Sequence, residues 1–222
     1  MEHSGGLNNM KPVWLKPARA FFAEEDVVLI ARRMLGMKLV SKIGGKLTSG
    51  IITETEAYAG ITDRASHAFG GKRTPRTEVM YGMEGIAYIY LCYGIHALFN
   101  VVTNHTDIPH AVLVRGIFPC DGINVMEERI KRAIIKPLKE GNGPGRVTRL
   151  LGIDCALNGV DLIENDILWL ETCGMEFEES DIFVSHRIGV GYAGADALLP
   201  YRFIVNGITA MDRIKKQAGI EK

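Results

Sequence analysis

Residues 37–58 read MKLVSKIGGKLTSGIITETEAY, in which Met37–Ile43 and Leu47–Tyr58 are two β-prone runs joined through Gly44-Gly45. Two glycines accept the positive φ values of a tight turn without steric cost, so the segment predicts an antiparallel hairpin. Along the second run, side chains alternate faces, which puts Glu54, Glu56 and Tyr58 on one face and Thr53, Thr55 and Ala57 on the other. Glutamate is depleted in strands, and two on one face call for a reason. Either the face is wet, or one carboxylate is a base in a pocket near the strand end, where burial and aromatic neighbours tune its proton affinity. Same-face neighbours lie about 7 Å apart, a spacing that also suits the acid/base pair of a small-molecule hydrolase.

Upstream, Glu24, Glu25 and Asp26 precede an apolar stripe of Val27, Ile30, Ala31, Met34 and Leu35. Arg32, Arg33 and Gly36 close it, which predicts a helix. Residues 1–20 mix Gly, Asn and Pro around Trp14 and are expected to be an arm over the domain, frayed at its start. Downstream, residues 60–85 hold five glycines and Pro75 together with Arg64, His67, Lys72, Arg73 and Arg76, a long basic loop of the kind that carries function. Ile86–Tyr93 and His96–Thr103 predict a second hairpin, with Tyr88 and Tyr90 on one face and Tyr93 at the apex. An apex aromatic serves either local packing or an external contact, including a wedge into a duplex.

Ala111–Arg115 reads as a short strand, and Asp121 as the cap of a helix with Val125, Met126, Ile130 and Ala133 on its stripe. The run Gly141-Asn142-Gly143-Pro144-Gly145 leads into a helix over 146–151 ended by Gly152; its glycines permit either a sharp turn or a phosphate seat beside Arg146. Ile182–Ile188 and Arg202–Val205 read as closing strands, followed by a basic tail. Strands in hairpins, interspersed irregularly with helices, predict a single mixed α+β domain with a curved antiparallel sheet, surrounding helices and a protruding β-hairpin.

A chain of 222 residues with 47% apolar content supports one well-buried core. Lysine plus arginine equal aspartate plus glutamate at 26 each, but residues 129–149 carry seven basic side chains against one acid, and 161–181 carry eight acids and no basic residue. Such a split permits a basic face on a neutral protein. The cysteines at 92, 120, 155 and 173 form no CxxC, so free thiols and an intracellular location are expected. No apolar run reaches membrane-spanning length. Gly189-x-Gly191-x-x-Gly194 matches a dinucleotide fingerprint but lies too close to the end of the sequence for a βαβ unit to follow. No Walker spacing, HExxH or GxSxG occurs, so neither a cofactor nor a metal is expected.

ETEAY (54–58), His67 with GGKRTPR (70–76), YIYLCYG (88–94) with Asn100, LVR (113–115) and RIGVGYAG (187–194), taken in order, resemble the alkyladenine (3-methyladenine) DNA glycosylase family of base-excision repair. The likeness covers Phe21 to Val205 and implies a glycosylase domain over 21–222. It implies Glu56 as the general base and Arg115 beside the attacking water. Tyr58, His67 and Tyr90 become the base pocket, Asn100 the residue that screens purines, and Tyr93 the filler of the gap left by an extruded nucleotide. Lys72, Arg76 and Arg146 become contacts to the DNA backbone. The implied partner is double-stranded DNA containing damaged purines, bound by a monomer. The location implied is cytoplasmic with the nucleoid in a prokaryote, or nuclear in a eukaryote. A nucleic-acid-binding module without catalysis is the rival from another class. Glu54 is left without a role.

Overall fold

The computed structural model describes residues 12–219, so the expected fraying of the first residues lies outside the described part of the chain. Its framework is an antiparallel sheet of eight strands: β1 (Lys38–Ile43), β2 (Lys46–Tyr58), β3 (Ala87–Cys92), β4 (His96–Thr103), β5 (His110–Pro119), β6 (Leu168–Glu171), β7 (Ile182–Ser185) and β8 (Arg202–Val205). The order β3-β4-β5-β2-β1-β6, with β8 between β2 and β7, curls the sheet into a half-barrel. Among the described residues five helices flank it: α1 (Val27–Arg33), α2 (Ile123–Ile130), α3 (Pro137–Glu140), α4 (Pro144–Leu151) and α5 (Ile208–Gln217). The mixed α+β architecture is the one expected.

β2 is the axis of the sheet. Its first half pairs with β1, its second half with β8 on the same edge, and β5 runs along the other edge. Gly44 and Gly45 turn the β1–β2 hairpin at φ 60° and 76°, and Ile43 pairs with Lys46 across it. Between β2 and β5 the ladder slips twice. Ile52 pairs with Ile117, Glu54 with Gly116 and Thr55 with Val114, so Thr53 and Arg115 have no opposite number. Such irregularities twist a strand and re-aim its side chains, here at Glu54 and Arg115.

Residues of α1, α2, α4 and α5 pack with the sheet in one buried cluster. Asp26 caps α1, its Oδ1 accepting from the amides of Val28 at 2.8 Å and Leu29 at 3.2 Å. The hydroxyl of Thr55 donates to the carbonyl of Ala31 at 2.7 Å, which fixes α1 beneath β2. Ile30, Met34, Ile51, Ile52, Phe99 and Val114 are part of one continuous buried cluster. Leu15 forms an isolated antiparallel bridge with Thr172.

Several local boundaries differ from the sequence reading. β5 runs ten residues rather than five, because β2 pairs with it from Ala111 to Pro119, well past the four residues that β4 covers. Asp121 does not cap α2; Gly122 holds that position at φ 71°, and Asp121 instead accepts the hydroxyl of Ser49 at 2.5 Å. The strand expected over 182–188 ends at Ser185, because Arg187 turns inward. The basic tail forms α5, which buries Ala210 and Ile214. The loop over 60–85 contains three short 3-10 turns, at Gly60–Thr62, Phe69–Gly71 and Glu78–Tyr81, the last braced by Arg73 bridging Glu78 and Asp107.

Gly141 ends α3 with an ordinary φ of −82°, and its carbonyl accepts from the amide of Ile117 at 3.1 Å. A Cβ at this position would stand 1.8 Å from the Ile117 carbonyl oxygen. Gly141→Ala therefore forces two backbone segments apart without any change in dihedral preference. The expected cost is about 1–3 kcal/mol, read as a lower denaturant midpoint at unchanged slope.

Candidate active site

Glu56 lies in the second half of β2, with 0% of its surface exposed. Its Oε2 accepts the phenol of Tyr58 at 2.8 Å, and its Oε1 accepts the backbone amide of Ile188 at 2.8 Å. Arg115 Nε stands 3.3 Å from Oε1. Tyr58, Arg115 and Ile188 all line a cleft of about 810 Å³, so the carboxylate forms the layer directly beneath its floor. Burial raises the Glu56 pKa above its ordinary value, against the lowering effect of Arg115 and the two hydrogen bonds. Burial, with the Glu56 charge beside it, also pushes the Tyr58 phenol well above its usual range, so it remains a donor at neutral pH.

The segment that presents Ile188 is held by a buried ion pair. Arg187 donates to Asp63 through Nη1 at 2.5 Å and Nη2 at 2.8 Å, and to the carbonyls of Ala57 at 2.9 Å and Asp196 at 3.0 Å. Its guanidinium also stacks on Tyr58 at 4.9 Å and on Tyr201 at 5.2 Å. One side chain thus supports the back of Tyr58 and delivers an amide to Glu56.

Across the cleft stand three rings. His67 meets Tyr90 edge-on at 4.6 Å between centroids, and Tyr88 lies 5.5 Å from Tyr90. His67 Nε2 faces Arg76 Nη2 at 3.2 Å; a guanidinium only donates, so the network assigns the imidazole proton to Nδ1, which donates to the Tyr88 hydroxyl at 2.8 Å. Burial, followed by the charge of Arg76, lowers the His67 pKa to about 4, which keeps the ring neutral at physiological pH. Asn100, opposite Tyr88 on β4, also lines the cleft, and its amide donates to the Tyr88 carbonyl at 3.0 Å. At the mouth, the β3–β4 hairpin turns through Tyr93 and Gly94 at φ 51° and 70°, with Ile95 donating to the Cys92 carbonyl at 3.0 Å. Tyr93 is 87% exposed. A positive φ is uncommon for an aromatic residue, and it fixes this ring at the apex.

A profile of the methylpurine-DNA glycosylase family matches residues 20–209. Proteins carrying the provisional name 3-methyladenine DNA glycosylase align over most of the chain. The one from Desulfitobacterium hafniense is 42% identical over 189 residues, covering 82% of this chain and 91% of its own. Those from Chlamydia felis and Bacillus cereus are each 42% identical and cover 84% of this chain and 94% of their own. The chain belongs to the methylpurine-DNA glycosylase family. It is therefore a DNA-acting hydrolase of N-glycosyl bonds.

In this glycosylase Tyr58, His67, Tyr90, Tyr93, Asn100 and Arg115, all singled out in the sequence, line one cleft, and Glu56 lies beneath its floor. Of the basic residues, Arg76 and Arg146 line the same cleft and Lys72 does not. Arg76 lies over the ring of Tyr90 at 4.8 Å, Lys72 is exposed on the loop, and Arg146 donates to the carbonyl of Lys139 at 2.7 Å. The phosphate seat proposed at the start of α4 begins with Pro144, which has no amide proton, and the Arg146 amide already bonds to Gly143 at 2.9 Å. Glu54 does not share the wet face that strand alternation allows: it is 3% exposed and paired with Arg115 and Arg202. Asp63, Arg187 and the Ile188 amide were not distinguishable in the sequence, because they meet Glu56 only through tertiary folding. The single hint was the position of Arg187 at the head of RIGVGYAG. Among the described residues no helix is long and apolar enough to cross a membrane, no group of side chains forms a metal site, and all four cysteines are free.

Removing the carboxylate of Asp63 strands the Arg187 charge in the interior. Asp63→Ala is expected to cost about 3–5 kcal/mol of stability in denaturant titrations, well beyond an ordinary surface substitution.

Proposed function

We propose that this glycosylase is monofunctional. It turns a damaged purine nucleotide out of double-stranded DNA and hydrolyses the N-glycosyl bond with water activated by Glu56, leaving an abasic site. The observation that carries this reading is a fully buried carboxylate whose three contacting groups form the floor of an aromatic-lined cleft. A base inside the helical stack is out of reach of such a floor, so the nucleotide has to leave the duplex, at an unstacking cost of about a few kcal/mol that is smaller for damaged pairs. Tyr93 fills the vacated space. Tyr58, His67 and Tyr90 hold the extruded ring, and a positively charged alkylated purine gains about 0.5–2 kcal/mol from aromatic faces. Asn100, pinned by its bond to the Tyr88 carbonyl, screens the purine edge.

As the C1′–N bond breaks, its electron pair leaves with the purine and positive charge develops on the sugar. The Glu56 carboxylate offsets that charge and takes a proton from the water whose oxygen bonds to C1′. Arg115 stands beside this water. Every group in the scheme is a side chain or amide of the chain itself. Lys72, Arg76 and Arg146 contact the DNA backbone near the cleft, and the enzyme acts inside the cell as a monomer. We assign the glycosylase domain to residues 21–222 and an arm to residues 1–20. The pairing of Glu54 with two guanidinium groups disfavours a small-molecule hydrolase that uses Glu54 and Glu56 as acid and base.

Glu56→Gln is expected to bind lesion duplex normally while single-turnover release falls by about 10²–10⁴-fold, and comparable rates would end the assignment. The wild-type rate should rise with pH through the Glu56 pKa, at a pH above the ordinary glutamate value of 4.5. The sign for stability is opposite. A carboxyl with a raised folded-state pKa stabilises the fold at low pH and loses that contribution as pH rises, so the glutamine variant should melt higher than wild type at neutral pH. A separate experiment addresses the hairpin: Tyr93→Ala should weaken duplex binding more than release from single strands, and equal effects on both would remove the wedge role.

A further inference from the structure

Glu54 is a buried charged group near the base to which the reaction scheme gives no task. Its Oε1 accepts Arg115 Nε at 2.9 Å and Arg202 Nε at 2.6 Å. Arg202 sits on β8, where it pairs with Glu56 in the backbone register, and Arg115 sits on β5 at the slip in the ladder. Nε of arginine carries a single hydrogen. That hydrogen is committed to Glu54, so Arg115 reaches Glu56 at 3.3 Å as a charge neighbour and not as an Nε–H donor.

We propose that Glu54 is a positioning residue for the glycosylase reaction: by taking the only Nε proton of Arg115, it holds the guanidinium beside Glu56 without letting that proton hydrogen-bond to the base. Glu54 thereby sets both the place of Arg115 at the cleft floor and the basicity of Glu56. The inference rests on Glu56 being the base. The groups that face Glu56 are Arg115 from β5, Glu54 and Tyr58 from β2, and Arg187 with the Ile188 amide from the segment after β7. Arg202 from β8 faces Glu54. Behind burial as the main cause, the negative charge of Glu54 also raises the Glu56 pKa, while Arg115 lowers it. Without the Glu54 carboxylate, Arg115 is free to turn its Nε–H onto Glu56, and a hydrogen bond to a charged carboxylate lowers its proton affinity.

The test uses the full chain and single-turnover release from duplex DNA carrying an alkylated purine, followed across the acid limb of the pH profile. Glu54→Gln should move that limb to lower pH and reduce the plateau rate by about tenfold, with affinity for the lesion duplex unchanged. Glu54→Asp keeps the charge but falls a methylene short of Arg115, which frees the Nε–H; it should move the limb to lower pH by less than Glu54→Gln does and still lose plateau rate. A merely structural role would lower thermal stability without moving the limb. An unmoved limb in Glu54→Gln, or wild-type plateau rates in both variants, overturns the proposal. Should Glu54→Gln fail to fold, Glu54→Asp alone decides, a wild-type plateau overturning the role. Glu56→Gln is run in parallel: if it releases base at the wild-type rate, the base assignment itself has failed. An inactive Glu56→Gln beside wild-type Glu54 variants rejects this inference alone.

Discussion

Carboxylates buried inside a sheet are tolerated only where cations are brought to them, and this requirement governs the architecture around β2. Glu54 and Glu56 sit two residues apart in a strand covered on both edges. They expose 3% and 0% of their surface, so their charge has to be offset by groups that neighbouring strands deliver. Arg115 comes from β5 and Arg202 from β8, while Arg187 and Asp63 form a second neutralised pair against the ring of Tyr58. The partners are far apart in the chain, and each is paired only once the sheet has closed. The curl of the half-barrel and the neutrality of its polar interior are two aspects of one folding event.

The cleft divides its chemistry between two walls. One carries charge: a carboxylate with elevated proton affinity under a phenol, an amide and a guanidinium. The other is aromatic and neutral, with the His67 imidazole held uncharged by burial and by Arg76. A cationic purine is attracted by rings and repelled by an imidazolium, so the suppressed titration of His67 favours such a ligand across physiological pH. The hydrogen-bond chain from Arg76 through His67 to Tyr88 also orients the ring edges before any ligand arrives.

Most of the sheet could be read from the amino-acid order because its signals are local. The glycine pair at 44–45 announces the hairpin, and alternation places Glu56 and Tyr58 together on one side of β2, where they hydrogen-bond. The register slip opposite Gly116 and Arg115 leaves no such mark. It lies where β5 follows one edge of β2 and β8 joins the other, strands about 60 and 150 residues away by numbering. Glu54 illustrates the limit. Period-two reasoning assigns it a face but cannot tell solvent from two guanidinium groups, since the arginines that decide the matter lie on other strands. The helix formed by the basic tail was hidden for a different reason: its buried face is only Ala210 and Ile214 in a strongly polar segment.

The apex of the β3–β4 hairpin keeps a large ring in water on a turn whose backbone its side chain disfavours. Both features raise the free energy of the unbound protein at one point on its surface. Insertion into a stack of bases returns the solvation part of that free energy while the rigid turn limits what the ring loses in conformational freedom. A duplex that opens easily, as one with a weakened pair does, collects this return more readily than an intact one. On the proposed mechanism, discrimination between sound and damaged DNA therefore begins at a tyrosine on the outside of the molecule, before any purine has entered the cleft.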